Sequence, residues 1–372
     1  MQRNSLVIFS FFLVFAIAGC HDAGGKVPPV TSARGFDRSF LRGVNHAHIH
    51  RRGHGYGSDN SARELDSLSG IGINWIAIMP YGYQRGAASD QVLGFPGHEG
   101  QSEFFSHVDE TMTDDDIVRE ILNAHKRGMS VMVKPQIWSD DFWESKEWHG
   151  SIRQKSEAEH ALWWKTYRAF ALHYAVVAQE ANAEIFCVGT ELVRMTAAYP
   201  GEWKALIEDI RKIFTGKLTY AAHWDMEFEE IAFWGELDYV GINAYFPLDA
   251  PSHSTVKELV EAWNIPLRSI DSLVQKVKRP ILFTEVGFRA VEGAHRKPWE
   301  YKGKKGDPEG AARAYDALFE ALHTSTWLQG VFLWKTYTDP HRAYEPRDGS
   351  GYAFRGQPAE TIIQKWFRST NN

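Results

Sequence analysis

Two sets of side chains in this sequence have the types and spacing for chemistry. The first lies in "GVNHAHIHRRGHG", from Gly43 to Gly55, where His46, His48 and His50 alternate and His54 follows. A His-x-His pair ending a first strand, joined by His and Asp ligands from later strands, would hold a catalytic metal. The second is a pair of glutamates. Glu191 ends "EIFCVGTE" and Glu285 ends "PILFTE", each directly after an apolar run. A carboxylate there is costly unless it is paired or functional. One such glutamate is as readily half of a structural ion pair as a catalytic group. Two that flank one bond could cleave a glycoside: one carboxylic acid protonates the leaving oxygen while the other, ionised, attacks the anomeric carbon. A separation of about 5–5.5 Å would give retention of configuration. Their surroundings would have to hold one protonated and the other ionised.

Either chemistry needs a frame, and short apolar runs alternating with amphipathic ones supply it. The strand-like runs are residues 40–45, 73–80, 130–138, 184–191, 217–224, 237–246, 280–288 and 330–335. Each is nearly continuous in apolar residues, as a parallel strand buried on both faces should be. Between them the helices have recognisable starts. "TDDDIVREILNAHKRG" opens on Thr113 with acidic residues in its first turn and closes on Gly128. The helix opening at Ser156 carries a capping-box pattern, Ser156 to Glu159. "DPEGAARAYDALFEALHTS" and "QPAETIIQKWF" supply the last two. Eight strands, each followed by a helix, predict an α/β fold, a single (β/α)8 TIM barrel over residues 39–372. A long insertion from Tyr81 to Met112 follows the second strand and so lies on the catalytic face.

In that barrel the active site sits at the C-terminal strand ends. Asn45 and His46 end the first strand; Lys134, Gln136 and Trp138 end the third. Thr190 and Glu191 end the fourth, His223 and Trp224 the fifth, and Asn243 and Tyr245 the sixth. Thr284 and Glu285 end the seventh, and Trp334 and Lys335 the eighth. The two glutamates then face one another across the mouth. A metal site is one ligand short. His223 and Asp339 are available, but the sixth run, "YVGINAYF", has no histidine, and spending Glu191 on a metal leaves Glu285 without a task. The expectation is therefore no metal and no other cofactor, with the histidine stretch a polar loop lining the cleft. His46 would reach a sugar hydroxyl and the later histidines would face solvent. Lys134, before Pro135, either touches sugar or makes a salt bridge inside the barrel. Trp75, Trp163 and Trp164 read as core; Trp138, Trp143 and Trp148 serve as sugar subsites or as loop packing.

"FCVGTEL", "KLTYAAHWD", "LDYVGINAYFPL" and "ILFTEVGFR" together resemble glycoside hydrolase family 113, within the large clan of retaining glycosidases on (β/α)8 barrels. The likeness runs from about Leu41 to the last helix. It implies β-1,4-mannanase activity, Glu191 as acid/base and Glu285 as nucleophile. It also implies Trp334 as the platform under the sugar at the cleavage point, and Tyr245 as a hydrogen-bond donor to the nucleophile. Many families of the clan have Asn directly before the acid/base, where it contacts the sugar 2-hydroxyl; here that residue is Thr190. The contact would then come from Asn243 or His223.

The N-terminus reads "MQRNSLVIFSFFLVFAIAGC", a secretory signal too short to span a membrane as a helix. Its ending resembles a lipobox, with residues 1–19 removed, Cys20 lipidated, and residues 20–38 a Gly- and Pro-rich tether. Cys187 is the other cysteine, so a disulfide framework is excluded and stability must come from a core. A net charge of −6 gives no sign of a nucleic-acid partner, and 14 Trp suit either sugar stacking or a Trp-rich core. The expected protein is an exported, lipid-anchored monomer acting on a β-linked oligo- or polysaccharide. Three alternatives stay open: a retaining β-glycosidase of other specificity, a non-catalytic glycan-binding lipoprotein, and a metal-dependent hydrolase using His46 and His48.

Overall fold

In chain order the elements are β1 (Leu41–Ala47), α1 (Asp59–Gly70), β2 (Trp75–Ile78), β3 (Tyr81–Tyr83), α2 (Asp114–His125), β4 (Ser130–Val133) and β5 (Gln136–Trp138). There follow α3 (Glu157–Glu180), β6 (Ile185–Thr190), α4 (Val193–Ala198), α5 (Pro200–Ile213), β7 (Lys217–His223), α6 (Glu227–Glu230) and β8 (Val240–Asn243). The chain ends with α7 (Val256–Val277), β9 (Ile281–Val286), α8 (Pro308–Leu322), β10 (Leu328–Tyr337) and α9 (Pro358–Arg368). This computed structural model describes residues 36–93, 112–139, 142, 147–301 and 305–369. The signal, Cys20, nearly all of the tether, most of the 81–112 insertion and Trp143 lie outside the described residues.

Eight strands close a parallel barrel in the order β1-β10-β9-β8-β7-β6-β4-β2. Inside it, Leu41, Ala77, Met132, Ile185, Cys187, Ala221, Leu282 and Phe332 form one apolar layer. A much larger core lies between the strands and the helices, where Trp163, Trp164, Tyr167 and Phe170 of α3 are all buried. Trp75 is only half-buried and packs edge-on against Phe332. Thr113 caps α2 in a reciprocal box with Asp116. Ser156 caps α3, but Glu159 reaches past it to the N–H of Lys155, so that box is one-sided.

Two boundaries differ from the sequence expectation. The third run, 130–138, is not one strand. Proline has no N–H for a ladder, and the chain leaves the barrel at Lys134-Pro135. Its second half, β5, pairs with β3 in a separate two-stranded sheet. The tether ends early, because Phe36 is buried and stacks on Phe40 with ring centroids 3.9 Å apart.

Candidate active site

Register shifts gather near the C-terminal ends of the strands. One falls between Cys187 and Thr190 on β6, another between Ile242 and Asn243 against β9. Such shifts re-aim side chains, and these immediately precede Glu191 and bring Asn243 level with Glu285.

Glu285, on β9, is buried, and its charge is answered on both oxygens. Lys134 Nζ lies 2.5 Å from Oε1, and Gln136 Nε2 donates to the same oxygen at 3.3 Å. The Tyr245 hydroxyl donates to Oε2 at 2.9 Å. Of the two readings of Lys134, the structure makes the salt bridge, with the lysine fully buried. A carboxylate so placed meets the condition for a buried charge, an opposite charge plus hydrogen bonds.

Glu191 stands in a different setting. Among the described residues one hydrogen-bond donor reaches its carboxyl, Asn243 Nδ2 at 3.0 Å from Oε1. Burial, and then the negative charge of Glu285, push its carboxyl up to about 8, against the Asn243 donor, which pulls it down. Asn243 is held in turn by the Thr284 hydroxyl, which donates to its Oδ1 at 3.0 Å. The result is an acid that keeps its proton near neutral pH beside a carboxylate stabilised by donors, the pairing that divides acid from nucleophile.

Trp334 joins this group, with Lys134 Nζ 5.4 Å and Lys335 Nζ 4.8 Å from its ring centroid. His223 and Trp224 extend the group as an aromatic run. Trp148 lies 4.7 Å from His223 between ring centroids, and Trp224 stacks on Trp299 at 4.8 Å. Trp138 is half-buried and meets Tyr81 edge-on at 5.8 Å. Asn45 is fully buried and its Nδ2 donates to the carbonyls of Thr284, Phe332 and Leu333, so it braces strand ends rather than opening to the mouth.

The histidines are placed otherwise than expected. His46 is fully buried and points into the helix layer, with Nε2 2.9 Å from Ser61 Oγ and 3.3 Å from Glu120 Oε1. Successive side chains on a strand face opposite ways, so with Asn45 turned inward His46 must turn out. His48 is buried under the loop and accepts the Tyr56 N–H through Nδ1. His54 pairs with Asp339 at 2.6 Å. His48 and His54 are therefore held within the protein rather than facing solvent, because the loop folds back on them. Among the described residues, no group of three or more His, Cys, Asp or Glu side chains converges as a metal site.

Two neighbours of this site were not singled out from sequence. Trp299 lies in the loop after β9, where its indole in a polar stretch was the available signal. Glu227, the first residue of α6, is a further buried acid whose partners come from β7 and from α4, so no local pattern marks it.

The model of Glycoside Hydrolase Family 113 matches residues 44–357. No curated protein matches in sequence. Among solved structures, the β-mannanase of this family from Alicyclobacillus acidocaldarius, in complex with ManMIm, is 24% identical, with a TM-score of 0.73 over 90% of this chain and 99% of that one. A complex structure of a family 113 β-1,4-mannanase is 23% identical, with a TM-score of 0.72 over 89% of this chain and 99% of that one. A Glycoside Hydrolase Family 5 mannosidase from Rhizomucor miehei is 12% identical, with a TM-score of 0.59 over 89% and 93%. With the family model spanning most of the barrel, the chain belongs to Glycoside Hydrolase Family 113.

Proposed function

We propose that the protein is a retaining endo-β-1,4-mannanase working by double displacement, with Glu285 as nucleophile and Glu191 as acid/base. In the first step a Glu285 oxygen forms a bond to the anomeric carbon. The glycosidic C–O bond breaks, its electron pair leaves on the oxygen, and that oxygen takes the Glu191 proton. In the second step water attacks the same carbon and gives its proton to Glu191. The ester bond breaks and Glu285 is again a carboxylate.

The single observation that carries this reading is the asymmetry of the two acids. Glu285 is met by a cation and two neutral donors, whereas Glu191 is pushed up to about 8 by burial and by its partner's charge. Trp334 would be the platform for the sugar at the cleavage point, and Tyr245 would steady the nucleophile through its Oε2. The run of Trp148, His223, Trp224 and Trp299 would stack further sugar rings. Mannan as substrate is supported by family membership and by the β-mannanases among the structural neighbours. The export signal and the lipid on Cys20 belong to the same proposal, and would hold the barrel near a membrane where it meets polymeric glycan.

The test is reducing-end release by the chain lacking residues 1–20 from mannan, glucomannan, xylan and β-glucan, with and without a chelator. Release from mannan that chelator leaves unchanged and Glu285→Gln abolishes is the expected result. Release from xylan or β-glucan alone would overturn the substrate, and full activity of Glu285→Gln would overturn the mechanism.

A further inference from the structure

Glu227 has no part in the reaction written above, yet its surroundings are built around it. It is 2% exposed, and three donors reach its carboxyl. The Thr196 hydroxyl of α4 and the Tyr220 hydroxyl of β7 both donate to Oε1 at 2.8 Å, and the His223 N–H donates to Oε2 at 2.6 Å. The Thr196 hydroxyl has a second acceptor in the Val193 carbonyl at 3.0 Å, but the Tyr220 hydroxyl and the His223 N–H each approach a different oxygen of Glu227. A carboxylate offers two accepting oxygens; an amide of the same shape offers one and presents N–H groups to the other side. The arrangement therefore specifies an acid at 227 rather than any polar residue.

That acid is linked to the fourth barrel strand. The Tyr220 hydroxyl, while donating to Glu227, accepts the N–H of Leu192 at 2.7 Å. Leu192 directly follows Glu191, whose own N–H is held by the Ala221 carbonyl at 2.9 Å. Glu191 has a φ of +50°, in the left-handed region that a residue with a Cβ adopts unwillingly. Such a conformation persists only where its surroundings over-determine it. The amides on both sides of the Glu191 Cα are thus tied to β7, one through a strand carbonyl and the other through Tyr220 and Glu227.

We propose that Glu227 is a positioning residue: through Tyr220 it locks the peptide after Glu191, so that the Glu191 carboxyl is aimed at the leaving oxygen. It does not touch the sugar. The same carboxylate, holding the His223 N–H, ties the aromatic run at the end of β7 to the acid it serves. This inference rests on Glu191 being the acid/base.

A misaimed acid has a specific signature. Proton donation matters for a sugar leaving group and little for dinitrophenolate, which leaves without a proton. The experiment compares kcat/KM for mannotetraose and for 2,4-dinitrophenyl β-mannobioside in wild type, Glu227→Gln, Tyr220→Phe and, as reference, Glu191→Gln. The ratio kcat/KM reports bond breaking and not the later hydrolysis of the glycosyl-enzyme. We expect Glu227→Gln and Tyr220→Phe to lose tenfold or more on mannotetraose and less than threefold on the aryl glycoside. Equal losses on both substrates, or no loss on either, while Glu191→Gln still discriminates between them, would overturn the positioning role and leave the acid/base assignment standing. If Glu191→Gln itself fails to discriminate, that assignment is wrong and the inference falls with it.

Discussion

The buried pair between Lys134 and Glu285 makes the most quantitative prediction. Both side chains are out of solvent, at 0% and 7% exposure, and their charged atoms are 2.5 Å apart. Lys134→Met keeps the approximate volume and removes the charge. It leaves Glu285 with neutral donors alone, Gln136 and Tyr245. Removing one member of a buried pair costs about 3–5 kcal/mol. Unfolding entropy for a barrel of this length is about 0.7 kcal/mol per kelvin, so the midpoint should fall by about 4–7 °C. Thermal melts of wild type and variant at pH 8 read this directly. Adding Glu285→Gln to Lys134→Met removes the stranded charge and should recover most of the loss. A midpoint unchanged at pH 8, or a double variant no better than the single, would refute the argument that the pair is one electrostatic unit.

Other consequences are as direct. Asn243→Ala removes the donor that pulls the Glu191 carboxyl down, so the alkaline limb of kcat/KM should move to higher pH while the maximum falls; a limb moving to lower pH would contradict the assignment. Gly43→Ala puts a Cβ 2.4 Å from the Phe332 ring in the barrel interior and should cost about 1–3 kcal/mol in denaturant unfolding. Cys20→Ser should move the full chain from the membrane pellet to the soluble fraction after export, and mass spectrometry of the wild-type N-terminus should find acyl chains on Cys20.

Much of the fold was legible because a parallel barrel strand is buried on both faces and reads as a continuous apolar run. The glutamates were legible for the related reason that an acid directly after such a run is conspicuous. What failed was local geometry within correct elements. The run from Ser130 to Trp138 read as one strand because apolar composition continues through it, although Pro135 marks where ladder pairing must stop. In sequence His46 sits beside Asn45 as if lining the cleft, yet strand alternation alone sends neighbours to opposite faces, and the helix layer supplies Ser61 and Glu120 to receive it. A Gly- and Arg-rich loop suggests solvent for the later histidines; Asp339, far along the chain, claims His54. Glu227 could not have been found this way. Its meaning lies in three donors from two elements, and in a tyrosine whose hydroxyl faces both Glu227 and the residue after Glu191.

The central claim is that Glu285 forms a covalent bond to the sugar. Incubating the chain lacking residues 1–20 with a 2-deoxy-2-fluoro-β-mannosyl fluoride, then digesting and mapping the label by mass spectrometry, tests it directly. The account predicts one mannosyl adduct on the peptide carrying Glu285 and none when that residue is Gln. An adduct on Glu191, or hydrolysis of mannan with inverted anomeric configuration and no adduct, would contradict it.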